Sequence, residues 1–215
     1  MKGALEAEEG PPRSTNDDPA PRERVDVEVV ELSDPDAARN LPWTRVYRRK
    51  RLGRASSYYD FHESVNRRQQ ADMVVELVNL EAPIHIDYAI RRVAEAWGIS
   101  RLGHRVVAAG RQAIQQAVRR KAVEVRGDFL WKPGQALTHV RVPDPGDPAT
   151  RREINEIAPE EIDLALARLS EASAGLDADQ IVSQVARVLG FERTGGRIQN
   201  AIGTRLRQVR PDALS

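Results

Sequence analysis

Cysteine is absent from the 215 residues, which excludes disulfides, thiolate zinc sites and cysteine nucleophiles. No apolar run approaches a membrane span, and the first thirty residues hold no apolar signal core. The chain is therefore expected to be cytoplasmic. No G-x-x-x-x-G-K-[ST] stretch occurs, so these residues are not a P-loop ATPase. Excess charge is also missing, with a formal net of +1, but its placement is uneven. Between Asp36 and Asp60 there is no acid, only Arg39, Arg45, Arg48, Arg49, Lys50, Arg51 and Arg54. Between Glu95 and Glu124 the charged residues are Arg101, Arg105, Arg111, Arg119, Arg120 and Lys121. Between Glu192 and Asp212 they are Arg193, Arg197, Arg205, Arg207 and Arg210. A near-neutral total thus hides three local basic fields, and local fields are what an anionic partner meets.

One stretch of the chain occurs twice. Residues 84–114 align without a gap to residues 176–206 at a constant offset of 92, with eight identities in 31 pairs. Background composition gives about two. The identities are Asp87/Asp179, Val93/Val185, Ala94/Ala186, Gly98/Gly190, Arg101/Arg193, Gly103/Gly195, Arg105/Arg197 and Ala109/Ala201. Apolar character is kept at further pairs such as Ile90/Val182 and Val106/Ile198. Such self-similarity points to two copies of one supersecondary unit.

Residues 1–24, rich in acids, Pro, Gly and Ser, are expected to form a disordered tail. Residues 25–62 read as a basic aromatic arm, with an alternating Val25–Leu32 strand and Trp43, Tyr47, Tyr58, Tyr59 and Phe61 among the arginines. The first repeat covers residues 63–135. Its order is a helix over Arg68–Leu80, an extended Pro83–Ile86, a helix capped by Asp87 and ended by Gly98, and a longer helix over about 102–120. A hairpin around Arg126-Gly127 follows, which completes the order of a winged helix-turn-helix. Residues 136–154 read as a linker holding at most one short strand within Leu137–Val142. The second repeat, residues 155–215, supplies a helix from Pro159, a helix capped by Asp179, and a third helix over about 194–209. Its wing is absent or incomplete. The fold expected is mainly α with a small β-hairpin, built from two tandem winged-helix or helix-turn-helix units behind a disordered N-terminal tail.

The candidate chemistry lies on the third helix of each copy. Arg111, Gln112, Gln115 and Arg119 fall opposite its apolar stripe, and Arg and Gln carry the paired polar atoms that match base edges and phosphates. In the second copy Gln199, Asn200, Gly203 and Arg207 take similar positions. Arg101, Arg105, Arg193 and Arg197 start these helices, where a cation opposes the dipole at a cost of about 0.3–1 kcal/mol. A carboxylate elsewhere or a phosphate must compensate them. Arg120, Lys121 and the hairpin Arg126 extend the first field. Arg48, Arg49 and Arg51, beside Tyr47 and Tyr58, could grip a backbone with rings free to stack. No catalytic residue, metal site or cofactor is expected. Asp60, His62 and Glu63 read as a helix start, His85 and His104 as surface or packing residues, and Trp97 and Trp131 as core residues of the first copy.

The ordered set APIHIDYAIRRVAEAWGISRLGHRV, VRGDFLW, NEIAPEEIDLAL and ARVLGFERTGGRI resembles a bacterial domain of unknown function. That domain occurs near the C-terminus of very large superfamily I helicase proteins, commonly after a Vsr-like nuclease. The resemblance spans about residues 45–210. It implies a helicase-associated DNA-binding accessory role and transfers no active site. With the motor and nuclease missing from these residues, a chain starting at Met1 is expected to be a split gene, a remnant or a free-standing partner. The partners implied are nucleic acid, DNA rather than RNA, and a superfamily I helicase or nuclease subunit. No membrane and no small-molecule ligand are expected. The competing expectation is a protein-interaction module that docks the helicase or nuclease and never touches DNA.

Overall fold

The computed structural model describes residues 37–55, 60–172 and 175–209. The tail, the Val25–Leu32 strand, Tyr58, Tyr59 and Arg210 lie outside the described residues. Six α-helices dominate the described residues: α1 (Arg67–Glu81), α2 (Ile86–Glu95), α3 (His104–Arg119), α4 (Pro159–Ala172), α5 (Ala178–Val188) and α6 (Gly196–Val209). Five short strands accompany them: β1 (Thr44–Val46), β2 (Ile84–His85), β3 (Glu124–Arg126), β4 (Phe129–Trp131) and β5 (Val140–Val142).

The first trio of helices follows the order expected from its periodicity. Met73, Val74, Leu77 and Val78 of α1 meet Ala89, Ile90 and Val93 of α2 in one core, with Ala109, Ile114 and Ala117 of α3. Burying such side chains contributes about 25 cal/mol per Å² of apolar surface removed from water. The strands β2, β4 and β3 form an antiparallel sheet beside them, so the hairpin is tied back to the chain between α1 and α2. Gly110 sets the spacing of α2 and α3. A Cβ there would stand 2.6 Å from Ile90 Cγ2, so the helices can approach this closely only without one.

Helix starts differ from the sequence expectation in a consistent way. Asp87 does not cap α2. The helix already begins at Ile86, and the His85 imidazole Nδ1 accepts the Asp87 N–H at 3.2 Å. Asp179 likewise lies inside α5, while Asp177 caps it in a reciprocal box with Gln180. Both aspartates sit in the first helical turn, where an acid favours the macrodipole without being the cap. Gly98 and Gly190 follow their helices with φ of 75° and 92°, as their sequence positions imply. Gly190 is further constrained, because a Cβ there would collide with the Pro143 ring.

The second trio has a core of its own, including Ile162, Leu166, Val185, Leu189, Ile202 and Leu206. Helices α5 and α6 begin at the residues that the sequence alignment pairs with the first residues of α2 and α3. Their surroundings differ. The second core is bordered by β5, which pairs in parallel with β1, so Thr44–Val46 lies against Val140–Val142. Ala38 and Trp43 pack on the second core, whereas Leu52, Ala55 and Phe61 pack on the first. The segment read as an arm therefore crosses from one core to the other. Trp131 also departs from its expected place: it clusters with Phe129 and with Ala158, the residue preceding α4, rather than within the first unit alone.

A chain of buried ions fills the seam between the cores. Tyr47 donates to Glu81 at 2.5 Å, and Arg92 reaches both Glu81 oxygens at 3.2 Å. Arg141 and Arg152 share Glu161, at 2.5 and 2.7 Å. Arg141 also donates to the Glu81 and Pro83 carbonyls, which joins the two halves. Both guanidiniums lie over the Tyr47 ring, at 5.2 and 5.0 Å from its centroid. Burial, and then the Glu81 charge, push the Tyr47 phenol well above its usual range. Burial alone would raise the Glu161 carboxyl, but Arg141 and Arg152 outweigh it and hold it down to about 2.

Candidate nucleic-acid interface

Helix α3 divides cleanly between two faces. Ala109, Gly110, Ala113, Ile114 and Ala117 are buried, while Arg111, Gln112, Gln115 and Arg119 are exposed. A period near 3.6 residues places these sets on opposite sides, so packing the first against α1 and α2 turns the second outward. Nothing acidic occupies the first turn of α3 or of α6. The side chains of Arg101, Arg105, Arg119 and Lys121 are exposed and carry no ion pair or hydrogen bond among the described residues.

Other members of this field have carboxylate neighbours. Arg111 stands 3.3 Å from Asp87, with both side chains more than half exposed. Arg120 lies 2.7 Å from Asp72, also in open solvent. Exposed pairs of this kind contribute about 0–1 kcal/mol, little enough for a stronger anion to displace. Arg126 is differently placed. Its Nε and Nη2 donate to Glu124 at 2.9 and 3.1 Å, and Nη1 donates to the Gln135 carbonyl at 2.8 Å. Its guanidinium also lies 4.7 Å from the Trp131 ring centroid. The Glu124 hydrogen bond raises the Arg126 pKa and lowers that of Glu124, so the pair stays charged. Arg126 thus braces the hairpin.

Lys121 closes α3 in an unusual backbone state, φ 55°, while Arg120 forms the helix cap. The left-handed region costs a non-glycine residue about 1–2 kcal/mol. A lysine held there keeps a cation at the junction of α3 and the hairpin.

The other basic residues are spread more widely. Arg48 and Arg51 are exposed on the segment between the cores, and Arg49 is partly buried with its Nε unpartnered among the described residues. Arg193 and Arg197 lie at the start of α6, exposed and unpaired among the described residues, and Arg207 donates to Thr204 at 3.1 Å. Arg205, also on α6, instead ties that helix to Asp163 of α4 at 2.7 Å. Asp60, His62 and Glu63 form the turn ahead of α1, with the Asp60 carbonyl accepting from Glu63 N and Asn66 Nδ2. Sequence reasoning overlooked Glu81, Arg92, Arg141, Arg152 and Glu161. Periodicity gives no signal for a charged residue that is buried by a distant partner.

The family described as "Protein of unknown function (DUF3320)" matches residues 59–108, a span from just before α1 into the first turns of α3. No curated protein and no solved structure matches the chain.

Proposed function

We propose that this chain is a DNA-binding accessory module without catalysis of its own, working beside a superfamily I helicase and contacting DNA through α3 and the adjoining hairpin. The observation that carries this reading is the unneutralised cationic surface of α3, from Arg101 and Arg105 at its start to Arg119 and Lys121 at its end. Gln112 and Gln115 lie exposed between them, with side-chain amides suited to base edges. Two arginines near a helix N-terminus oppose its dipole, and a phosphate backbone would reverse that cost. The helicase association rests on the ordered sequence resemblance.

The test is the salt dependence of binding. With about four to six phosphate contacts, log K against log salt should fall with a slope near −4 to −5. Arg111→Ala together with Arg119→Ala should flatten the slope by about two, at roughly 0.9 per contact. An unchanged slope would mean that a different surface meets the anion.

A second reading, docking to a protein partner, is favoured by the exposed Val118 on α3 and Val125 on the hairpin. A pull-down after nuclease treatment separates the two. Retention of a helicase, with no mobility shift of duplex or single strand, selects the second.

A further inference from the structure

A cavity of about 460 Å³ opens where α6 begins, lined by Arg151, Arg152, Arg193 and Arg197, with Phe191 and the Gly195–Gly196 pair completing the wall used here. Its size falls within the range of small-ligand sites, about 300–1,000 Å³. Two carboxylates, Glu153 and Glu192, share the lining, and Glu192 lies 3.4 Å from Arg151 with both side chains mostly exposed.

The charge of this cavity does not rest on exposed residues alone. Arg152, which is 8% exposed, reaches it from the buried network. There the single Glu161 carboxylate serves both Arg141 and Arg152. Arg92 pairs with both Glu81 and Glu95, whereas Arg141 and Arg152 have the one Glu161 carboxylate between them, so the cationic excess lies on the side of the seam nearer the cavity. Arg193 and Arg197 add two positive charges at its mouth without partners among the described residues.

The two glycines supply an independent argument. Neither Gly195 nor Gly196 has a positive φ, and a Cβ on either would meet nothing within 4 Å. Gly195 takes the N-cap place ahead of α6, where glycine is accepted, but neither conformation nor packing asks for glycine at Gly196, despite its entropic cost. Both residues line the cavity where α6 begins, and the free N–H groups of a helix's first turn suit the close approach of an anion. The half-buried Phe191 ring gives the same hollow an apolar surface for stacking.

We infer that this cavity binds the terminal phosphate of a nucleotide, with the phosphate against Gly195–Gly196, Arg193 and Arg197 and the base toward Phe191. The nucleotide could be free or the 5′ end of a DNA strand; only the strand-end form rests on the DNA-binding reading above.

The test uses the full chain and 3′-labelled single strands of one sequence, carrying either a 5′-phosphate or a 5′-hydroxyl, with a nucleoside 5′-monophosphate measured separately by calorimetry. A strand-end site predicts about tenfold tighter binding of the phosphorylated strand, equivalent to about 1.4 kcal/mol. Arg197→Ala should remove that preference, so that phosphorylated and hydroxyl strands bind alike. Gly196→Ala should keep or raise the melting temperature yet weaken the preference, because Gly196 lines the cavity and an added methyl clashes with nothing packed around it. A free-nucleotide site predicts saturable binding of the monophosphate that both variants weaken. Equal affinity for the two strands, with no binding of the monophosphate, overturns the inference and leaves DNA binding standing. Monophosphate binding with no strand binding keeps the cavity and rejects the DNA-binding function.

Discussion

Single residues carry contrasting demands in this chain. Gly110 exists for packing: placing a methyl 2.6 Å from Ile90 Cγ2 forces α2 and α3 apart or pushes Ile90 off its rotamer. Gly110→Ala should therefore destabilise the fold by about 1–3 kcal/mol in denaturant unfolding, despite the better helix propensity of alanine. A loss below about 0.5 kcal/mol would show that the two helices can slide apart freely. Lys121 gives the opposite case. Its φ of 55° suits glycine, so Lys121→Gly should stabilise the chain by up to about 1 kcal/mol while weakening DNA binding. If stability rises and affinity stays constant, the lysine is not part of the interface.

At the scale of elements, the helices are governed by local chemistry and the loops around them by distant contacts. The periodic apolar positions of α1 to α6 were readable directly, because one face of each helix must leave water. The hairpin was readable from Arg126-Gly127 between alternating residues; Gly127 takes φ 54° in the turn. The true caps lie two residues ahead of the aspartates that the sequence suggests, since an acid near a helix start serves either as cap or as dipole partner. The Asp177-x-x-Gln180 spacing was the available signal for the true cap of α5. Asp177→Ala should lower stability by about 1 kcal/mol, whereas Asp179→Ala should cost at most about half of that. Thermal unfolding of the two variants checks the order, and equal losses would refute the assignment.

Across the whole molecule, the ionic seam decides how the halves hold together and how they respond to acid. Glu161 has a folded pKa of about 2, below its ordinary 4.5. A depressed carboxylate contributes stability that is fully present above the unfolded pKa and fades as the pH falls toward the folded one. Stability should therefore be level above about pH 5 and decline on the way down to about pH 2. Glu161→Gln leaves Arg141 and Arg152 buried without their counter-ion. It should cost about 3–5 kcal/mol at neutral pH and flatten the acid branch. A wild-type curve that stays level down to pH 3 would exclude this role.

The sequence by itself determined the helices, the hairpin, the cationic face of α3 and the uneven charge, because each depends on spacing along one short segment. Tertiary structure alone decided that β1 pairs with β5, that Trp131 reaches Ala158, and that Arg126 braces the hairpin. It also decided that Arg141 links Glu81 to Glu161, 80 positions of sequence becoming one hydrogen-bonded cluster. The physical reason is range. Amphipathic periodicity is a local consequence of helix geometry, whereas the burial of a charge is permitted only by partners that folding brings from far along the chain.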